Sequence, residues 1–197
     1  MAQYETNAAV RSRVTLRQAG HKEKVDGTIR FATGTIPTMS HPNTNSELIG
    51  RFYEAFQKQD AEAMGACYAD DVVFSDPVFG ELRGEQARDM WRMLVARAQD
   101  FSLTFDAVTA DERTGRAHWV ARYLFSQTGR KVENRIQAQF VFRDGRIVEH
   151  RDSFDLWRWS RQALGLKGAL LGWTPFVQGA IRAQAKKGLD AYRNKRG

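Results

Sequence analysis

Between residues 45 and 99, hydrophobic residues recur at helical spacing in three separate stretches. The first repeat begins near Asn45 or Ser46, either of which can cap a helix. Its apolar stripe consists of Leu48, Ile49, Phe52, Tyr53 and Phe56. Asp60 can cap a second, short helix, and the third repeat predicts a helix over residues 85–99. Three helices are therefore expected in this part of the chain.

Alternation of apolar and polar residues replaces the helical spacing elsewhere in the centre of the chain. One strand is predicted over residues 72–78, and Gly80 and Gly84 then frame a loop. Four more strands are predicted, over residues 101–108, 116–127, 131–143 and 146–154. The Asp144-Gly145 pair between the last two is a strong signal for a two-residue hairpin turn. Helices followed by successive antiparallel strands indicate an α+β domain, in which a curved, mainly antiparallel sheet wraps around helices and leaves a hollow.

The two ends of the chain read differently from its centre. Residues 157–197 predict a helical extension: a first helix over 156–164, an apolar stretch with many glycines over 165–172, and a last helix from Pro175 to about Asn194. Residues 1–38 lack sustained periodicity. A disordered or non-native upstream extension is the favoured interpretation, and an ordered arm is the alternative. The predicted organisation is thus 1–38, a domain over 39–156, and 157–197.

The net charge of +7 is concentrated at the ends. Residues 39–156 hold fifteen Lys and Arg against nineteen Asp and Glu, whereas residues 157–197 hold nine against one. A nucleic-acid partner is not expected, because the basic residues do not belong to the folded centre. The single cysteine, Cys67, excludes an internal disulfide and fits the cytoplasm, which is the predicted location. No apolar run approaches the ~20 residues that span a bilayer.

Five polar residues fall on strand faces that are otherwise apolar, and those faces should form the inner wall of the sheet. They are Asp76, Tyr123, Asn134, His150 and Asp152. A buried polar group costs about 1–3 kcal/mol when it is unsatisfied, so such exceptions indicate either a function or a pairing. Asp76, Asp152 and His150 are the catalytic candidates, because a carboxylate in a dry pocket has a raised pKa and a neighbouring imidazole can assist proton transfer.

Structural explanations for the same residues stay open. Asp152 and His150 could pair with Arg151, Tyr123 or the backbone and stiffen the sheet. Asp76 could cap the loop before Pro77. Two ligands on one strand are too few for a metal site, so no metal is expected. No phosphate-binding glycine loop is present either, and no cofactor is expected.

The order of these features resembles the nuclear transport factor 2-like superfamily, and most of all its ketosteroid-isomerase and polyketide-cyclase (SnoaL-like) branch. The order is helix, helix, Ala69-Asp70-Asp71-Val72, Asp76-Pro77, glycine, helix and four antiparallel strands. The resemblance covers residues 45–164. The run 144–155 is similar to the closing strand of limonene epoxide hydrolases. The resemblance implies a cone-shaped α+β barrel around an apolar pocket for a small hydrophobic molecule, often in a homodimer.

The resemblance supports the fold, but this chain lacks residues that the known mechanisms of the family use. Asp76 matches the general base of the isomerases, but their two oxyanion donors fall near Phe52 and Ala138, which cannot donate a hydrogen bond. Asp152 matches an epoxide-hydrolase aspartate, but the Arg-x-Asp pair of those enzymes falls near Trp119 and Ala121. Neither known mechanism is therefore expected intact. An acid/base lyase, isomerase or hydrolase is one hypothesis, and a non-catalytic ligand-binding or dimeric interaction domain is the other.

The inward faces also supply the expected lining of the pocket. The predicted ligand-binding residues are Phe52, Phe74, Trp119, Tyr123, Asn134 and Ala138. The basic C-terminal helix has two interpretations. The favoured one packs its apolar part on the pocket mouth or on a dimer mate. The other is an interfacial membrane helix that buries Trp173 and Phe176 while its cations face lipid phosphates.

Overall fold

The computed structural model describes residues 44–196 and confirms the α+β class. Six helices and six strands form the described chain, in the order α1 (Thr44–Gln57), α2 (Ala61–Ala66), β1 (Tyr68–Asp76), β2 (Gly80–Arg83), α3 (Glu85–Arg97), β3 (Ser102–Ala110), β4 (Thr114–Phe125), β5 (Arg130–Arg143), β6 (Arg146–Ser153), α4 (Leu156–Leu164), α5 (Leu166–Leu171) and α6 (Pro175–Asn194). The predictions for residues 1–38 lie outside the described residues.

All six strands form one curved sheet in the order β2-β1-β6-β5-β4-β3. Every neighbouring pair is antiparallel except β1 and β6, which run parallel. Among the described strands β2 and β3 are the edges, and the sheet does not close on itself. The last strand, β6, therefore lies in the middle of the sheet beside the first, and residues that are distant in sequence share its inner face.

Helices α1 and α3 supply the core that fills the narrow part of this curved sheet. Ile49, Phe52 and Tyr53 of α1 are fully buried, and Trp91 of α3 is 2% exposed. The ring centroids of Phe52 and Trp91 lie 5.6 Å apart in an edge-to-face arrangement, which is favourable for aromatic pairs. The amphipathic stripe predicted for α1 is thus the one that the helix buries.

A helix cap and a hairpin turn form where the sequence predicts them. Asp60 accepts a hydrogen bond from the Ala63 N–H at 2.9 Å and caps α2. Asp144 and Gly145 form the two-residue turn between β5 and β6, with φ angles of 52° and 71°. Positive φ at both central residues is what a type I′ hairpin turn requires.

Several boundaries differ from the prediction by a few residues, and two segments predicted as irregular contain regular structure. Strand β1 begins at Tyr68 and ends at Asp76, whereas the sequence indicated residues 72–78. The predicted loop from Gly80 to Gly84 contains strand β2, because Asp76 pairs with Gly80 across a short turn. The glycine-rich stretch 165–172 contains helix α5. It packs so closely on α4 that a Cβ at Gly168 would lie 1.9 Å from the Ser160 carbonyl oxygen.

Two bulges reverse the predicted parity of single residues. Strict alternation along β3 puts Ala107 on the same face as Leu103 and Phe105, but Ala107 is exposed, with φ of 51° and a register shift between Asp106 and Thr109. Strict alternation along β6 likewise puts Val148 on the inner face with His150 and Asp152, but its neighbour Ile147 is the fully buried residue. A shift after Val141 in the pairing of β5 with β6 is the cause. Each bulge adds one residue, so the alternation before it and the alternation after it are out of step by one position.

Helix α6 lies against α3 and the β1–β2 turn, although the sequence set it apart as an extension. Arg182 donates to the Pro77 carbonyl oxygen at 2.9 Å, and Arg97 donates to the Gly188 carbonyl oxygen at 3.2 Å. Arg193 forms an ion pair with Asp89 at 3.2 Å. No helix within residues 44–196 is long and apolar enough to span a membrane.

Candidate functional site

A cavity of about 310 Å³ lies between the inner face of the sheet and helices α3, α4 and α6. Its wall is rich in aromatic rings, which include Phe74, Trp91, Trp119, Phe154 and Trp159. Four polar residues of the sheet also line it: Asp76, Tyr123, Asn134 and Asp152. The remaining polar lining residues are Arg97, Ser126, Gln127 and Gln184. An apolar wall with a few convergent polar groups is typical of small-molecule sites.

Six of the nine residues singled out from the sequence line this cavity. They are Phe74, Asp76, Trp119, Tyr123, Asn134 and Asp152. The other three, Phe52, Ala138 and His150, lie behind the wall in the core and are at most 2% exposed. Ala138 pairs with Asp152 across β5 and β6, and Phe52 packs edge-on against the His150 ring.

Asp76 and Asp152 come together because β1 and β6 are parallel neighbours. The register pairs Phe74 with His150 and Ser75 with Arg151, so the next residues along the two strands are the two aspartates. Both strands alternate regularly here, which directs Asp76 and Asp152 to the same inner face.

Asp76 both holds the β1–β2 turn and titrates near neutral pH. Its Oδ1 accepts hydrogen bonds from the Val78 and Phe79 N–H groups at 2.9 Å and 2.5 Å. Burial, together with the nearby Asp152 carboxylate, raises the pKa of Asp76 to about 7 against the lowering effect of these backbone N–H groups. A carboxyl group with such a pKa can accept or release a proton at neutral pH.

A hydrogen-bonded chain behind the cavity wall orients Asp152. Trp91 Nε1 donates to Tyr68 Oη at 2.9 Å, and Tyr68 Oη lies 2.7 Å from His150 Nδ1. His150 Nε2 lies 3.0 Å from Asp152 Oδ1. The indole N–H can only donate, so Tyr68 Oη accepts from Trp91. A neutral imidazole that donates from Nε2 to the Asp152 carboxylate leaves Nδ1 to accept the Tyr68 hydroxyl hydrogen.

The two oxygens of Asp152 differ in their surroundings. Oδ1 accepts from His150 and also from Trp119 Nε1 at 3.3 Å. Oδ2 accepts no hydrogen bond from residues 44–196, and Asp152 lines the cavity. Trp119 stands near the position at which the epoxide-hydrolase pattern has its arginine. Trp119 is a neutral donor, and in the described chain no Lys or Arg forms an ion pair with Asp152.

Tyr123 and Asn134 add neutral hydrogen-bonding groups to the same wall. Tyr123 Oη accepts from Trp159 Nε1 at 2.8 Å, so its own hydrogen is left to donate elsewhere. Burial raises the pKa of Tyr123 to about 12, which keeps the hydroxyl protonated. Asn134 lies beside Ala121 in the β4–β5 pairing, and its side chain forms no hydrogen bond within the described part of the chain.

Packing of the last helix on the pocket mouth was one of the expectations, but the residues through which the C-terminal helices line the site were not predicted, and neither was the role of Tyr68. Helix α6 supplies Ile181, Gln184, Ala185 and Gly188 to the lining, and α4 supplies Trp159 and Leu164. The helical spacing of Met64, Cys67 and Tyr68 predicts that the second helix extends through Tyr68, whereas Tyr68 begins β1 and its hydroxyl contacts His150. The one sequence feature that could have indicated the contribution of α4 is the presence of two polar aromatic residues, Tyr123 and Trp159. A buried hydroxyl or indole N–H group needs a hydrogen-bond partner, and these two residues can supply one to each other. Within residues 44–196 there is no group of three His, Cys, Asp or Glu side chains that could hold a metal ion.

The curved sheet, its helices and the cavity between them define a domain of the nuclear transport factor 2-like class. The family model described as "SnoaL-like domain" matches residues 49–150, which is more than half of the chain. The chain therefore belongs to the SnoaL-like domain family. No curated protein matches it.

Several solved structures share the fold at low identity. A LEH-like epoxide hydrolase of M. tuberculosis is 22% identical with a TM-score of 0.54, over 66% of this chain and 96% of that one. A protein with a ketosteroid isomerase-like fold from Catenulispora acidiphila, in complex with trimethylamine, is 18% identical with a TM-score of 0.56, over 66% and 98%. TerC, co-crystallized with polyporic acid, is 16% identical with a TM-score of 0.55, over 62% and 100%. These likenesses establish the fold.

Proposed function

We propose that the protein binds a small, largely apolar molecule in the cavity and catalyses proton transfer on it. The observation that carries the proposal is the convergence of two carboxyl groups, Asp76 and Asp152, with two neutral polar groups, Tyr123 and Asn134, on one aromatic wall. A volume of about 310 Å³ limits the ligand to a small molecule.

Asp76 acts as the acid/base group in this proposal. With a pKa of about 7, it is present in both protonation states at neutral pH. Asp152 acts beside it as a carboxylate that His150 and Trp119 hold in place, with Oδ2 turned to a water molecule or a ligand hydroxyl. His150 is then a positioning residue, because it reaches the cavity only through Asp152.

Tyr123 supplies the electrophilic half of the proposed chemistry. The isomerase oxyanion positions, near Phe52 and Ala138, cannot donate. Tyr123 can donate a hydrogen bond from β4. Its oxygen already accepts a hydrogen bond from Trp159, and its hydrogen is free to point at a ligand. A carboxylate base opposite a neutral hydroxyl donor suits proton abstraction next to a carbonyl group. A carbonyl compound with an acidic neighbouring C–H is thus the favoured substrate class.

A ligand screen tests the binding part of the proposal. Hydrophobic ketones, epoxides and alcohols are added singly to the full chain, and its melting temperature is measured. Binding to the native state should raise the melting temperature with concentration. If no member of these three classes raises it, the small-molecule proposal is wrong.

Hydrogen–deuterium exchange tests the catalytic part. A bound ketone is incubated with the protein in D₂O, and deuterium at its α carbon is measured by mass spectrometry. Asp76→Asn should reduce exchange by about 10²-fold or more, the low end of general-base contributions. Asp144→Asn is the matched control, because Asp144 is exposed in the β5–β6 turn. Exchange that persists in Asp76→Asn would contradict the assignment.

A non-catalytic binding domain is the second candidate. It is favoured by the contacts of Asp76 Oδ1, which are accounted for by the β1–β2 turn. Ligand binding without exchange in the wild-type protein would select this alternative. From the sequence and its resemblance we also propose a cytoplasmic homodimer without metal, cofactor or nucleic acid. Light scattering on the full chain measures the mass.

A further inference from the structure

The large hydrophobic side chains that are exposed within residues 44–196 all lie in one short part of the chain. They are Trp157, Leu166, Leu170, Leu171, Trp173 and Phe176, which we call the apolar patch. Leu166 is 76% exposed and Phe176 is 85% exposed. Isolated exposed leucines are ordinary, but a contiguous apolar surface marks a site of interaction with another molecule.

The patch is held outward by rigid packing beneath it. A Cβ at Gly168 or Gly172 would lie 1.9 Å from an oxygen of Ser160, so α5 presses its glycine side against α4. Trp157 Nε1 donates to the Ala169 carbonyl oxygen at 3.3 Å, and Trp173 Nε1 donates to the Leu170 carbonyl oxygen at 3.1 Å. These contacts join both indoles to α5. The leucines on its other side therefore face solvent in a fixed arrangement.

The charge around the patch has one sign. Residues 156–189 contain no Asp or Glu and six cations: Arg158, Arg161, Lys167, Arg182, Lys186 and Lys187. All six are exposed. Only Arg158 forms an ion pair with a described residue, Glu133 at 3.8 Å. The surface is therefore complementary to a partner that presents both apolar groups and negative charge.

This charge pattern argues against two other occupants. A second copy of the chain, docked patch to patch about a two-fold axis, would bring two carboxylate-free cationic segments together. Residues 1–38 hold six Lys and Arg against three Asp and Glu, so they do not supply the missing negative charge either.

We propose that the apolar patch docks the protein onto the surface of anionic phospholipid bilayers. Trp157 and Trp173 suit the interface, where an indole ring buries its apolar part and keeps its N–H near polar groups. Leu170 and Phe176 then enter the acyl boundary, while Lys167 and its neighbours contact phosphates. This inference stands independently of any ligand in the cavity.

Vesicle co-sedimentation of the full chain tests the proposal. Vesicles of phosphatidylglycerol mixed with phosphatidylcholine are compared with vesicles of phosphatidylcholine alone, at low and high salt. The wild-type protein should bind the anionic vesicles more tightly, and salt should weaken the binding. Trp173→Ala with Phe176→Ala should lower the affinity by about tenfold or more, because two exposed rings lose their burial in lipid. Both side chains are exposed, so the melting temperature should not change.

Matched variants separate the patch from the overall charge. Lys167→Gln should weaken binding to anionic vesicles more than Lys131→Gln, although each removes one exposed cation. Equal effects, or wild-type binding by the double aromatic variant, would overturn the proposal. So would a failure of the wild-type protein to bind anionic vesicles at low salt. A dimer that becomes a monomer in the double variant would assign the patch to a second copy and overturn it as well.

Discussion

At the scale of single residues, Asp76 joins a structural contact with a titration near neutral pH. One carboxyl oxygen holds the β1–β2 turn through two backbone N–H groups. The residue is nevertheless half-buried beside a second carboxylate, and loss of solvation raises the pKa of its carboxyl group to about 7. The folded state therefore favours the protonated form, and ionisation of Asp76 works against folding.

This shift predicts a pH dependence of stability. The pKa of Asp76 is raised from 3.8 to about 7, so between these values the folded protein binds more protons than the unfolded chain. The contribution of Asp76 is then fully present below about pH 4 and lost as the pH rises through 7, amounting to at most about 4 kcal/mol.

Denaturant unfolding of the wild type and Asp76→Asn at pH 5 and pH 8 measures the effect. The asparagine keeps an oxygen for the Val78 and Phe79 N–H groups but cannot ionise. The wild type should lose stability relative to Asp76→Asn as the pH rises. Parallel curves for the two proteins would show that the buried carboxyl group does not titrate as described.

The chain behind the cavity gives a second prediction at this scale. Tyr68→Phe removes the oxygen that accepts from Trp91 and donates to His150, both of which are buried. Two buried polar groups lose their partner, so the free energy of unfolding should fall by about 1–3 kcal/mol. Tyr192→Phe is the control, since Tyr192 has only a 3.5 Å contact with Arg196 at its hydroxyl and is not fully buried. Equal stability of the two variants would contradict the importance of the chain.

Residue parity placed Asp76 and Asp152 on one wall because the residues just before them, 72–75 and 149–151, alternate regularly. Their meeting also requires β6 to lie beside β1, and alternation along single strands does not predict which strands are neighbours. Tyr68 could not be found in this way. It stands at a helix-to-strand junction, and its role depends on His150, 82 residues further along the chain.

At the scale of elements, the register of the sheet decides which neighbours each residue meets. Alternation predicted the strands but not the two bulges, because an extra residue leaves no trace in the hydrophobic pattern. Ala107 adopts a positive φ that a sequence gives little reason to assign to alanine. The close packing of α1 on β4 cannot be predicted from the sequence pattern either, because it depends on how two elements that are distant in sequence meet.

Two glycines test this helix–sheet contact. A Cβ at Gly115 of β4 would lie 2.8 Å from Ile49 Cδ1 and 2.9 Å from the Phe142 ring, whereas a Cβ at Gly50 of α1 would meet nothing within 4 Å. Gly115→Ala should therefore destabilise the protein by about 1–3 kcal/mol through overpacking. Gly50→Ala should stabilise it by about 0.5–1 kcal/mol through helix propensity. Thermal unfolding of both variants checks the prediction, and shifts of the same sign would refute it.

At the scale of the whole described chain, the C-terminal helices complete the cavity that the sheet begins. The sequence separated residues 157–197 from the domain because their charge and spacing differ from those of the centre. That difference reflects the outward side of α6 and says nothing about its inward side. Ile181, Gln184 and Ala185 line the cavity, while Arg97, Arg182 and Arg193 anchor the helix by contacts that no periodicity reveals.

A bulky residue on the inward side of α6 should therefore block the cavity. Ala185 lines the cavity, whereas Ala183 on the same helix is exposed and does not. Ala185→Phe places a ring in a space of about 310 Å³ and should abolish the rise in melting temperature caused by any ligand found in the screen. Ala183→Phe adds the same ring to the solvent side and should leave that rise unchanged. If both variants respond like the wild type, the ligand binds outside this cavity. If both lose the response, the ring disturbs α6 itself, so only a difference between the two supports the proposed location of the ligand.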